Sequence, residues 1–187
     1  MSEETVYWHL PGICYFGMIN HVLFDTMKRF PDKFREGYKI GSVYGTFPGA
    51  IWNGGRNILE GFASKQEVGR IIESYNALDI PVRFTWTNVL LEEKHIYDTY
   101  CNMVMSVGNN GKNQVLVNSP VLEEYIRKTY PDYKILSSTT KRILNIDRLM
   151  DEVSKDYFLV VLDYDFNHNE KVLEKLSPVA DRIEILV

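Results

Sequence analysis

The feature that most constrains this chain is a regular alternation of short apolar runs with segments of helical period, sustained from end to end. The apolar pattern predicts strands at Val6–Leu10, Ile40–Tyr44, Val82–Trp86, Gln114–Asn118, Lys134–Ser138, Tyr157–Asp163 and Arg182–Val187. Most of these runs are continuously apolar, Tyr157-Phe158-Leu159-Val160-Val161-Leu162 above all, so both faces of the strand are to be covered. Strands alternating with helices imply a parallel sheet joined by right-handed crossovers.

The helix starts carry their own chemistry. Ser64-Lys65-Gln66-Glu67 is a capping box, followed by the stripe Val68, Ile71, Ile72 and Tyr75. Ser119-Pro120 supplies an N-cap and then a proline where its missing N–H is harmless, ahead of Val121, Leu122, Tyr125 and Ile126. Asn145 and Asn169 are further N-caps, before 146–153 and 170–176. The spacing over 92–107 predicts one helix, ended by Asn109-Asn110-Gly111.

The expected fold is therefore α/β: a parallel (β/α) barrel of the TIM type, incomplete, with about seven strands in a single domain over 1–187. An open α/β sheet is the alternative. A full (β/α)8 barrel takes about 250 residues. This chain has 187 and stops on its seventh apolar run. It is expected to be truncated at its C-terminus, with an open sheet edge inviting self-association.

Composition narrows the partners. With 25 acidic against 21 basic residues the net charge is −4, which disfavours a nucleic-acid binder. No run approaches a membrane span, and the acidic N-terminus lacks the apolar core of a signal peptide. Cys14 and Cys101 are isolated thiols, which fits a reducing, cytoplasmic setting. GxGxxG, GxxxxGK[ST], HExxH and GxSxG are all absent from the sequence, so it names no cofactor and no metal.

In either architecture a site belongs beyond the C-terminal ends of the strands. Neutral hydrogen-bonding groups collect there, suited to a small polar or anionic organic molecule. His9, Asp163 and Asp165 are the candidate catalytic residues; Trp52, Asn53, Arg56, Asn88, Asn118, Ser138 and Lys141 are the candidate ligand contacts. Each also has a plainer reading. His9 fits a structural histidine, Asp163 and Asp165 a solvated strand end, and Asn88, Asn118 and Ser138 turn formers and caps. The run Trp52-Asn53-Gly54-Gly55-Arg56 fits a tight turn as well as a binding loop, its arginine gripping an anion or pairing with Glu60. His9, Arg56, Asn88, Asn118 and Lys141 are expected to converge on one pocket. His21, His95 and His168 have no metal-ligand spacing and are read as surface.

Val115-Leu116-Val117-Asn118-Ser119-Pro120, the Tyr125-Ile126-Arg127 helix, Tyr130-Pro131 and Lys134-Ile135-Leu136-Ser137-Ser138-Thr139 together resemble the collagenase-like peptidase superfamily, over roughly residues 80–187. That resemblance implies a barrel-type domain and a hydrolase-like activity. Members place a Ser/Asn-Arg-Glu-Leu turn where this chain has Asp163-Tyr164-Asp165, and carry a cysteine cluster beyond the strand matching Arg182–Val187. Neither protease activity nor an iron–sulfur cluster therefore carries over. Two other readings stand beside an enzyme: a non-catalytic binding or accessory protein, and a truncated member needing a partner chain.

Overall fold

The computed structural model describes residues 5–54 and 60–187. Among these residues seven strands run parallel in chain order: β1 (Val6–Pro11), β2 (Tyr38–Gly45), β3 (Val82–Trp86), β4 (Gln114–Val117), β5 (Lys134–Ser137), β6 (Leu159–Val161) and β7 (Ile183–Glu184). The sheet curls into a half-barrel with β1 and β7 as its two edges and helices packed on the outer face. Those helices are α1 (Gly17–Arg29), α2 (Lys65–Asn76), α3 (Thr99–Gly108), α4 (Pro120–Thr129), α5 (Ile146–Ser154) and α6 (Glu170–Leu176).

The core lies between sheet and helices. Val43, Val82, Phe84, Trp86, Val115 and Val117 are fully buried on the outer side of the strands. They meet Val68 and Ile72 of α2, Val104 and Met105 of α3, and Leu122 and Ile126 of α4. Because strand side chains alternate, the residues between these point into the concave interior. There the chain places Arg83 between Val82 and Phe84, and Gln114 ahead of Val115.

The caps form as the residues dictate. Ser64 Oγ accepts from the Glu67 backbone N–H while Glu67 Oε2 takes the Ser64 N–H at 2.8 Å. Ser119, Asn145 and Asn169 cap α4, α5 and α6.

Three expectations change. The segment 92–107 is not one helix: a 3-10 turn at Glu93–Tyr97 ends at Asp98, which leaves the helical conformation (φ −57°, ψ 121°) and caps Cys101 N at 2.7 Å, starting α3 afresh. A capping carboxylate mid-segment breaks the helix that apolar spacing alone would continue. The last two strands are shorter than their apolar runs; β6 ends early because Asp163 leaves the sheet to cap the 3-10 turn Tyr164–Phe166. And His21 is not a bare surface residue: its ring stacks on Tyr75 at 5.0 Å, and Nε2 meets Ser74 Oγ at 3.2 Å.

Candidate functional site

Two polar constellations occupy the concave side, one on its floor and one at the C-terminal rim. The floor centres on Arg83, whose side chain is 1% exposed. Its Nε donates to Gln114 Oε1 at 2.9 Å, its Nη1 reaches both Glu184 oxygens at 2.7 and 2.8 Å, and its Nη2 donates to His9 Nδ1 at 3.1 Å. His9 Nδ1 also lies 2.8 Å from Ser42 Oγ, and Nε2 lies 3.4 Å from Glu184 Oε2. A guanidinium can only donate, so Nδ1 is the acceptor and the imidazole proton sits on Nε2, facing the carboxylate. Burial first, and then the Arg83 charge, pull the His9 pKa down to about 4 against the opposing pull of Glu184. At neutral pH the ring is uncharged.

The rim is built where β4, β5 and β6 end. Asn118 Nδ2 donates to Thr140 Oγ1 at 2.7 Å, and Thr140 Oγ1 lies 2.8 Å from Ser138 Oγ. Ser138 in turn caps the 3-10 turn Thr139–Lys141. That turn ends on Arg142, which adopts the left-handed conformation at φ 52°, ψ 50°. Such a backbone is costly for a residue with a Cβ and tends to mark functional positions. It carries the guanidinium to Asp163, with Nη1 at 3.2 Å from Oδ2, and to Asp165 Oδ2 at 3.3 Å from Nη2. The Asp163 side chain is 1% exposed. Its Oδ1 accepts from Asp165 N, while Oδ2 touches the arginine charge but receives no aligned hydrogen bond. Toward β3, Thr85 Oγ1 donates to Asn53 Oδ1 at 3.4 Å.

The structure gathers the sequence candidates unevenly. Asn118, Ser138, Asp163 and Asp165 share the rim through Thr140 and Arg142. His9 sits on the floor. Trp52 is wholly buried outside the sheet, edge-on to Trp86 and Tyr125, its Nε1 donating to the His95 carbonyl at 2.7 Å. Asn88 ties two loops together, giving its Nδ2 to Ile51 O and accepting from Leu90 N. Lys141 turns to the helix layer, bonding Glu152 Oε1 at 2.7 Å and Tyr157 Oη at 2.9 Å. Glu152 is buried, which disfavours its charge, but bonds from Lys141, Lys155 and Ser137 outweigh this and lower its pKa to about 2. Arg56 lies outside the described residues. Arg142 was not singled out by the sequence, although it directly follows Lys141; nothing in residue type separates two adjacent cations at the end of a turn.

Among the described residues no three His, Cys, Asp or Glu side chains gather as a metal site would require, and no helix is long and apolar enough to cross a membrane. No protein-family model matches the sequence, and neither does any curated protein. A search of solved structures does find a counterpart. The fold is similar to that of a U32 peptidase. The U32 peptidase Mk0906 superposes with a TM-score of 0.56 over 99% of this chain and 68% of its own, at 15% sequence identity. At that identity the likeness concerns the fold. It agrees with the collagenase-like resemblance carried by Asn118-Ser119-Pro120 and Ser137-Ser138-Thr139, since U32 peptidases are collagenase-like.

Proposed function

We propose that the chain binds a small polar or anionic organic molecule at the C-terminal rim, and that the ligand is held there by Arg142, Asp163, Asn118 and Ser138. The observation that carries this reading is the geometry of Arg142. A strained backbone presents its guanidinium, 46% exposed, over a buried carboxylate that leaves one oxygen without a hydrogen-bond donor. A ligand carboxylate or phosphate has the shape to take the outer edge of that fork. Asp163, buried beneath, holds the guanidinium in place for that ligand. Asn53 belongs to the neighbouring loop on the same rim.

The likeness to a peptidase supports hydrolase-like chemistry as one form of this reading, with Asp163 and Asp165 acting on the bound molecule and His9 ordering the floor beneath. The second form is binding without turnover, and His9 favours it. Both ring nitrogens are engaged inside the floor network, so the histidine is not free to exchange protons with a molecule at the rim.

A panel of small carboxylates, organic phosphates and short peptides, read by thermal shift and by product formation, tests the reading. A ligand that stabilises the native chain and loses at least ~10-fold in affinity in both Arg142→Ala and Asp163→Asn supports it. Ligands whose affinity ignores both substitutions place binding elsewhere and overturn it.

A further inference from the structure

A cavity of about 690 Å³ opens at the end of the sheet opposite the rim, where β5, β6 and β7 begin. We propose that this cavity is a binding site for a phosphate-bearing small molecule, separate from the rim. The chain as a whole carries a net charge of −4, yet four cations line this one hollow: Arg127, Lys134, Lys155 and Arg182. Among the described residues, only the carboxylates of Asp156 and Asp181 line it with them.

The partners of these cations decide which are available. Arg127 is spent on Glu123 at 3.0 Å and Asp156 at 3.5 Å, and Lys155 on Glu152. Lys134 and Arg182 have no carboxylate within ion-pair distance among the described residues. Lys134, the first residue of β5, lies over the Phe158 ring with Nζ 4.6 Å from its centroid. That contact orients the ammonium and leaves its charge unneutralised. Arg182, just ahead of β7, gives Nη2 to the carbonyls of Lys155 and Tyr157 at 2.8 and 2.6 Å. Those two bonds fix the guanidinium plane, while Nε and Nη1 take no acceptor among the described residues. A fixed fork and an oriented ammonium facing one hollow make a receptor for a tetrahedral, multiply charged anion. A monocarboxylate would engage one cation at a time. Phe158, 44% exposed beside them, offers an apolar platform for the body of the molecule.

The test is titration of the whole chain with inorganic pyrophosphate at constant ionic strength, by calorimetry and by NMR shifts of the Phe158 ring. Saturable binding that shifts the Phe158 ring signals is expected, weakened at least ~10-fold by Lys134→Glu. Lys134 is an exposed strand-end residue, so the variant is expected to fold; should it not, Lys134→Gln is measured in its place and is expected to weaken binding in the same direction. Absence of saturable binding at millimolar pyrophosphate overturns the proposal. So does binding that is indifferent to the Lys134 substitution or equally sensitive to Lys128→Glu, a lysine outside the cavity. Failure here leaves the rim reading standing, because the two sites share no residue.

Discussion

Arg83 and Glu184 meet at 2.7 Å although 101 residues separate them, and their contact ties the third strand to the last across the inside of the curl. No hydrogen-bonded ladder does this, since β3 pairs only with β2 and β4. The guanidinium is desolvated, which lowers its affinity for its proton, and Glu184 offsets that cost. Removing one partner of such a buried pair costs about 3–5 kcal/mol, whereas replacing both by apolar groups of similar volume is often near neutral. Glu184→Ala is therefore expected to lower the melting temperature steeply, and Arg83→Met with Glu184→Leu to recover most of the loss. Chemical denaturation of the three variants decides the point. A single Glu184→Ala as stable as the native chain would show that the contact contributes nothing.

Acid should weaken the fold in two stages. His9 binds its proton in the unfolded chain near the ordinary value of 6.5 but in the folded chain only at about 4. The unfolded state thus takes up more protons between these values, and stability falls as pH drops through that window. Glu152 follows, its pKa lowered from 4.5 to about 2, so the stability it lends is complete above 4.5 and is lost as pH falls toward 2. In urea titrations across this range, His9→Gln should flatten the first stage and Glu152→Gln the second. A His9→Gln profile that overlays the native one above pH 4.5 would contradict the assignment.

Substitutions at Arg142 separate charge from backbone. Alanine removes the guanidinium and keeps a Cβ in the left-handed region; glycine removes both the charge and the steric conflict. The glycine variant should melt above the alanine variant, and both should lose whatever rim ligand the native chain binds. An alanine variant that melts as high as the glycine variant would mean that the backbone here is unstrained.

The two thiols should be inert. Burial raises the Cys14 pKa to about 11 and pushes Cys101 higher still. The thiolate is the reactive form, so alkylation of the folded chain by iodoacetamide at neutral pH should be slow at both positions and should accelerate in urea. Fast labelling of native Cys101, which is fully buried, would require the core around it to open.

Much of the fold was legible because it depends on patterns that act locally. All seven strands appear where apolar runs predict them, and Ser64, Ser119, Asn145 and Asn169 cap the helices expected of them. The helix α1 shows the limit. Its single fully buried residue is Asn20, whose Nδ2 bonds the Pro11 carbonyl, while Met18, Ile19 and Val22 are exposed. An apolar stripe points the wrong way there. The rim was legible only in part, since strand-end position says where a residue lies along the chain but not which face it takes. Ser137 and Ser138 are neighbours of the same kind, yet Ser137 turns to Glu152 in the helix layer and Ser138 to Thr140 on the rim. Lys141 and Arg142 divide in the same way, because the left-handed turn at Arg142 reverses the direction of the side chain.

The distance in sequence between Arg83 and Glu184 also sets an order of events during synthesis. Every strand pairs with the one made just before it, so each unit can dock as it leaves the ribosome. The floor cannot settle in that way. At about 5–20 residues per second, Arg83 waits about 5–20 s for its carboxylate. Through that interval the nascent sheet carries Arg83 on its concave side without the carboxylate that neutralises it in the finished fold.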